Sequence, residues 1–289
     1  MVPLALRYPV TPPERPVLVM VLDGWIDAGF GAATAVAAIL ADMKTETFAT
    51  FQGDDLIDQR SRRPRLRIDD GVRAGISWPE PELLVGRDRM GSGVALLIGP
   101  EPDYRWRPFT SEVVAIAREL GVRLVVSLGA FPNATPHTRP IRLTATASDP
   151  ELARKVGVVR GSIEVPAGIG EVIGESCVEA GIPSVGLWAR VPHYVAAMPF
   201  APAALALVEG LCAISGLVIG TDGLVRSAAE ARSQVDDLIA QSAEHEAMVR
   251  QMEEQFDAGG GAILDLEGEL PTGDEIASEL ERYLRGESA

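Results

Sequence analysis

The segment VLVMVLDGWIDAGFGAATAVAAILADMKTETFATF, residues 17–51, decides the fold class. Its first six residues, 17–22, are all apolar and lie between a proline and an Asp-Gly turn, which is typical of a strand buried on both faces. Residues 31–43 are rich in alanine and predict a helix, and residues 45–51 alternate and predict the next strand. The segment therefore predicts a right-handed strand–helix–strand unit of a parallel sheet.

Strand-like and helix-like segments continue to alternate beyond this unit. We expect further strands at residues 94–99, 122–128, 141–147, 162–165 and 184–189, and helices at residues 110–120, 150–155, 170–180 and 202–215. Between them, residues 53–88 are polar, rich in arginine and interrupted by proline and glycine, which predicts loops and short strands such as 65–69. The alternation predicts an α/β fold with a mostly parallel central sheet flanked by helices.

Charge is distributed unevenly along the chain. The protein has 289 residues and a net charge of −15. Residues 230–289 hold sixteen acidic side chains against four arginines, so −12 of that charge lies in the last sixty residues. We therefore expect an α/β core domain over residues 1–225 and a separate acidic segment over residues 226–289.

The acidic segment has a helical pattern of its own. Apolar side chains recur every three or four residues from 228 to 256, which predicts one long helix that the glycines at 259–261 end. A second helix is predicted from Thr272, because Glu275 three residues later completes a capping box. Together they predict an acidic helical hairpin, which packs on its own sheet or on a neighbouring subunit, or else binds a basic protein partner.

Composition argues against several classes of function. The negative charge disfavours nucleic-acid binding, because binding to phosphates needs basic surfaces. No run of about 20 apolar residues is present, so we expect no membrane span, and the N-terminus lacks the pattern of a signal peptide. Cys177 and Cys212, the only cysteines, lie in apolar helical patterns and are expected to be buried free thiols in the cytoplasm. No metal or cofactor motif is recognised, and we expect neither.

Polar and aromatic side chains follow the ends of four predicted strands. In an open parallel sheet, ligands bind beyond the carboxyl ends of the strands, so these side chains form the candidate site. They are Asp23, Trp25 and Asp27 after the first strand, Glu101 and Arg105 after the strand 94–99, Asn133, His137 and Arg139 after the strand 122–128, and His193 and Tyr194 after the strand 184–189.

These groups have both a functional and a structural interpretation. Histidine is the natural acid–base side chain near neutral pH, and Arg139 would hold an anion. The functional interpretation needs His137 and His193 to face one pocket together with Arg139. In the structural interpretation Asp27 caps the following helix, Glu101 belongs to a network of ion pairs, and the histidines are satisfied structural groups.

Four of these segments resemble successive signatures of a known family. They are DGWIDAG at 23–29, GPEPDYRWR at 99–107, LGAFPNATPHTRP at 128–140 and GIPSVGLWARVPHY at 181–194. In this order, over residues 15–225, they resemble the long bacterial branch of the proteasome assembly chaperone 2 (PAC2) family. The resemblance implies a fold similar to nucleoside phosphorylases and hydrolases. It also implies self-association, with a trimer favoured, and eukaryotic and archaeal relatives help proteasome α subunits to assemble.

Two functional hypotheses follow from the residues and the resemblance together. The first is a non-enzymatic, oligomeric binding or assembly protein, because no catalytic signature is recognised and the acidic hairpin offers a docking arm for a protein partner. The alternative is a phosphorylase-like hydrolase or transferase, or a binder of small ligands, with its pocket at the carboxyl ends of the strands.

Overall fold

The computed structural model of the protein describes residues 4–157 and 164–258. The strands of the described residues are β1 (Ala5–Arg7), β2 (Val17–Asp23), β3 (Thr45–Phe51), β4 (Arg65–Asp69), β5 (Val72–Ser77), β6 (Glu82–Arg87), β7 (Gly93–Pro100), β8 (Leu124–Asn133), β9 (Leu143–Ala147) and β10 (Ser184–Pro192). The helices are α1 (Gly31–Asp42), α2 (Gly53–Leu56), α3 (Trp106–Glu119), α4 (Pro150–Val156), α5 (Ile169–Glu179), α6 (Ala201–Ser215), α7 (Asp222–Ile239) and α8 (Ala243–Asp257).

A central sheet of eight strands has the order β1-β3-β6-β7-β2-β8-β10-β9. Its four inner strands, β7, β2, β8 and β10, are parallel to one another. β3 runs in the same direction, whereas β1, β6 and β9 are antiparallel to their neighbours. The prediction of a mostly parallel central sheet flanked by helices is confirmed, and the carboxyl ends of the inner strands lie together at one edge.

Two hydrophobic cores lie on opposite faces of the sheet. Val17, Val19 and Val21 of β2 belong to the core under α1 and α6, whereas Leu18 and Met20 belong to the core under α3 and α5. Successive side chains of a strand point to opposite faces, so a strand covered by helices on both sides is apolar throughout. This is the physical reason for the continuous apolar run at the start of the first quoted segment.

The structure corrects three strand predictions. β3 is not adjacent to β2, because the antiparallel β6 and then β7 lie between them. β8 continues to Asn133, so the first residues of the predicted loop are a strand that pairs with the end of β10. The strand predicted at 162–165 lies partly outside the described residues, and Glu164 and Val165 do not belong to a strand.

The long helix predicted from 228 to 256 is two helices. α7 begins at Asp222 and packs against α6, and a turn at residues 240–242 separates it from α8. The hydroxyl of Ser242 accepts a hydrogen bond from the backbone N–H of His245 and caps α8, which explains the break. The predicted glycine stop and the helix from Thr272 lie outside the described residues. Within the described residues, no helix is long and apolar enough to cross a membrane.

Candidate functional site

The candidate residues lie beyond the predicted strand ends, but they form two separate groups. Trp25 and Glu101 line a cavity at the end of β2 and over the middle of β8, beside the start of α5. His137 and Tyr194 contact each other at the ends of β8 and β10, where His137 also contacts α7. The ten residues therefore do not converge on a single pocket.

Asp27 caps α1. Its carboxylate oxygens accept hydrogen bonds of 2.8 and 3.0 Å from the backbone N–H groups of Ala32 and Ala33 in the first turn of the helix. Burial raises the pKa of the Asp27 carboxyl, and these hydrogen bonds oppose that rise. The capping interpretation of Asp27 is confirmed, and the N-terminus of α1 is already occupied by an acidic side chain.

Glu101 has the same role at the start of α5. Its side chain is buried, and its Oε1 accepts a hydrogen bond of 2.6 Å from the backbone N–H of Ile169. The guanidinium of Arg62 donates to the backbone carbonyl of Glu101 and lies 3.4 Å from the Asp103 carboxylate. The starts of α1 and α5, two of the helices that begin at this edge of the sheet, thus hold a carboxylate of the protein itself, which disfavours a phosphate at these two positions.

The remaining residues of this half of the edge lie at the surface. Arg105 forms an ion pair of 2.6 Å with Asp55, and both side chains are partly exposed. Asp23 is exposed, and its backbone carbonyl accepts a hydrogen bond of 2.7 Å from the N–H of Glu101. The Glu101–Asp23 hydrogen bond holds the loop after β7 against the end of β2, and the Arg105–Asp55 pair joins the same loop to α2.

The cavity beside Trp25 has a volume of about 50 Å³. Besides Trp25 and Glu101, it is lined by Ser127, Glu171 and Trp188, which sequence reasoning missed. The local sequence offered only the polarity of these residues as a sign of a site: Ser127 interrupts an apolar strand, and Glu171 follows the glycines at the start of α5. Nothing in that pattern indicated that these two groups meet above the sheet.

Glu171 accepts hydrogen bonds from neutral donors. Ser127 Oγ lies 3.3 Å from one carboxylate oxygen, Thr146 Oγ1 lies 3.2 Å from the other, and the Trp188 side chain also donates. Burial raises the pKa of the Glu171 carboxyl, and the three donors oppose that rise. Since a Cβ at Gly186 would lie 2.8 Å from Glu171 Oε1, the glycine lets this network lie directly on β10.

His137 joins the loop after β8 to α7. His137 is buried, its Nδ1 lies 2.7 Å from the Tyr194 hydroxyl, and its Nε2 lies 2.9 Å from Asp236 Oδ1. The Tyr194 hydroxyl also accepts a hydrogen bond of 2.8 Å from the backbone N–H of His137. Burial raises the pKa of Tyr194 to about 12, so its proton remains available to Nδ1. The tautomer that carries its proton on Nε2 satisfies every contact.

Arg139 joins the loop after β8 to α8, as His137 joins that loop to α7. Its guanidinium pairs with Glu253 at 3.1 Å and with Asp257 at 2.6 Å, and the hydrogen bond to Asp257 raises the pKa of the arginine. Nearby, the Arg142 guanidinium lies 3.8 Å from the centre of the Phe256 ring. Arg139 therefore binds acidic groups of its own chain.

Asn133 and His193 complete the predicted set. Asn133 is the last residue of β8, where it pairs with Pro192 and is half-buried. His193 is exposed, and its ring meets Tyr194 edge-on at 5.4 Å. The two histidines therefore have different surroundings. In the described residues, no group of His, Cys, Asp and Glu side chains has the geometry of a metal site.

A protein-family model and several solved structures match this chain. The model of the PAC2 family matches residues 21–239. A Streptomyces avermitilis structure described as a PAC2 family protein is 40% identical, with a TM-score of 0.72 over 81% of this chain and 99% of that chain. A Mycobacterium tuberculosis proteasome-assembly chaperone homologue is 34% identical, with a TM-score of 0.74 over 81% of this chain and 99% of that chain.

A second Mycobacterium tuberculosis structure, described as a protein of unknown function, matches more of the chain. It is 33% identical, with a TM-score of 0.83 over 91% of this chain and 93% of that chain. Among curated proteins no significant match is found.

Proposed function

Because the chain belongs to the PAC2 family, we propose that it is a non-enzymatic, oligomeric binding protein with a chaperone-like role in the assembly of other proteins. The contacts of the candidate residues support this role. Asp27 and Glu101 are engaged at helix starts, and His137 and Arg139 are engaged with α7 and α8. A phosphorylase-like reaction needs an anion site, and acidic groups already occupy the starts of α1 and α5, two of the helices that begin at this edge.

The observation that carries the proposal is the exposed β4–β5 ribbon, residues 65–77. It is a two-stranded antiparallel sheet separate from the central one, and all residues of both strands are exposed. Leu66 and Ile76 are cross-strand partners, and they are 46% and 58% exposed, while Ile68 beside them is 57% exposed. A two-stranded ribbon with an uncovered apolar face is only marginally stable alone, so it needs a surface to cover it.

We propose that a second copy of the chain covers this ribbon. The ribbon carries three arginines and two aspartates, and residues 60–63 directly before it add three more arginines, whereas the chain as a whole carries −15. Together these arginines form a basic patch that is complementary to an acidic surface of a second copy, and most of the net negative charge lies in residues 230–289. Because the ribbon and the surface it meets are different patches, the contact is head-to-tail, and such a contact closes into a ring when the rotation between copies allows it. A trimer is the ring we favour.

Removal of the apolar side chains of the ribbon is expected to dissociate the oligomer. The triple variant Leu66→Ser/Ile68→Ser/Ile76→Ser removes three exposed apolar side chains from the ribbon without touching either core of the central sheet. Light scattering after size exclusion should give about three times 30.7 kDa for the unchanged protein and 30.7 kDa for the variant.

The matched control is Met90→Ser, which removes a 75% exposed apolar side chain outside the ribbon and should leave the mass unchanged. A monomeric unchanged protein, or a triple variant that keeps the oligomer mass, would contradict self-association through the ribbon.

We also propose that the acidic C-terminal segment, residues 226–289, binds a basic protein partner in the cytoplasm. The free thiols of Cys177 and Cys212 support a reducing compartment. Since one relative is described as a proteasome-assembly chaperone homologue, proteasome subunits are the partner to test first.

Neutralising exposed acids of α8 should weaken this partner binding. Purified proteasome α subunits are expected to bind the full chain at low salt and to be released as salt screens the charges. The variant Glu244→Gln/Glu254→Gln, which changes two exposed acids of α8, should bind about threefold or more weakly. In biolayer interferometry the matched variant Glu175→Gln/Glu179→Gln on α5 should bind as the unchanged chain does. Equal losses in both variants would exclude a specific role for the acidic segment.

A further inference from the structure

The cavity beside Trp25 is lined by both aromatic and acidic side chains. Trp25, Trp188, Glu101 and Glu171 line it, and among its described lining residues none is a lysine, arginine or histidine. We propose that this cavity binds the protonated amino group of a small organic amine. The proposal is independent of self-association and of the acidic C-terminal segment.

Glu171 supplies the charge. Its hydrogen bonds come from the hydroxyls of Ser127 and Thr146 and from the Trp188 side chain, and within the described residues it takes part in no ion pair. A partly buried carboxylate that has only neutral partners is costly, and a cation beside it removes part of that cost. A carboxylate offers about four acceptor positions, so an ammonium group has one left to occupy.

Two indoles lie beside the cavity. Trp188 lies against Gly129, where a Cβ would come within 2.4 Å of the ring, and Trp25 lies against Gly168, where a Cβ would come within 3.1 Å. Glycine at both positions therefore lets the rings lie directly on the backbone around the cavity. A cation within about 6 Å of an indole face is attracted by the ring quadrupole, and tryptophan is the strongest of the aromatic side chains in this respect.

Size and access favour an amine on a flexible stem. The cavity of about 50 Å³ has room for an ammonium head group rather than for a ring or a nucleoside. Trp25 is 41% exposed, so the cavity borders solvent at that side and a hydrocarbon stem has a way out. Glu101, which caps α5 at the same cavity, repels anions from it.

Isothermal titration calorimetry of the full chain at pH 7 tests the proposal with n-butylamine and 1,4-diaminobutane. Both are expected to bind, whereas the neutral butan-1-ol and the anion butyrate are not. Glu171→Gln, which keeps a hydrogen-bonding side chain of the same length and removes the charge, should weaken amine binding by about tenfold or more. Glu175→Gln, one turn further along α5 and exposed, is the matched control and should leave binding unchanged.

Trp25→Leu is the second variant, because it changes a partly exposed side chain and spares the core; it should weaken amine binding severalfold. An Nα-acetyl-lysine amide probe carries the same ammonium on a four-carbon stem and should bind as n-butylamine does, because the stem leaves the cavity beside the partly exposed Trp25. Absence of binding of either amine at about 10 mM would overturn the proposal. Binding retained by Glu171→Gln, or lost equally in Glu175→Gln, would overturn it too.

Discussion

Replacement of Phe109 by alanine is expected to lower the free energy of unfolding by about 3–5 kcal/mol. Phe109 on α3 is fully buried, and its ring meets Phe51 at the end of β3 edge-on, with 4.8 Å between the ring centres. Truncation removes both the buried area and this aromatic contact and leaves a cavity between α3 and the sheet. Urea denaturation followed by tryptophan fluorescence, at a fixed protein concentration, measures the change.

Tyr104→Ala is the control for Phe109→Ala. Tyr104 precedes the same helix but is 55% exposed, so its truncation should change the free energy of unfolding by less than about 0.5 kcal/mol. A Phe109→Ala change as small as that of Tyr104→Ala would mean that α3 does not pack on the sheet as described. Such a result would also affect the description of the candidate site, because α3 directly follows the loop that carries Glu101.

The layered fold was predictable from local sequence because its inner strands are buried on both faces. In β2 and β7 such burial produces continuous apolar runs that no surface element requires. The strand order was not predictable in the same way. The antiparallel β6 lies beside β7 and separates β3 from the parallel strands, and the sequence 53–88 indicated only loops and short strands. Pairing between distant strands leaves no periodic trace in either strand alone.

The sequence predicted at which edge of the sheet the candidate residues lie, but not which contacts they make. The rule that ligands bind beyond the carboxyl ends of parallel strands led to Trp25 and Glu101, which line the cavity. It did not reveal that Glu101 caps α5, 68 residues further along the chain, or that Glu171 faces Ser127 across 44 residues. Such contacts depend on how α5 docks on the sheet, which no local pattern in the sequence indicates.

Replacement of His137 by alanine is expected to loosen the attachment of α7 and α8 to the core. The buried imidazole joins Tyr194 at the end of β10 to Asp236 on α7, so its loss breaks two hydrogen bonds and empties the space between them. Removal of a buried hydrogen-bonding group of this kind costs about 2–3 kcal/mol. Hydrogen exchange should show faster exchange of the α7 and α8 amides, by about fiftyfold, while the amides of β2 and β8 keep their protection.

His193→Ala provides a matched control on the neighbouring strand end. His193 is exposed and meets Tyr194 only through a ring edge, so its loss should leave exchange in α7 and α8 unchanged. Equal effects of the two variants would contradict the arrangement, because it assigns the joining role to His137 alone. The contrast between the two variants follows from burial. Both histidines follow a proline near a strand end, but the acidic helix α7 covers His137, whereas His193 is exposed.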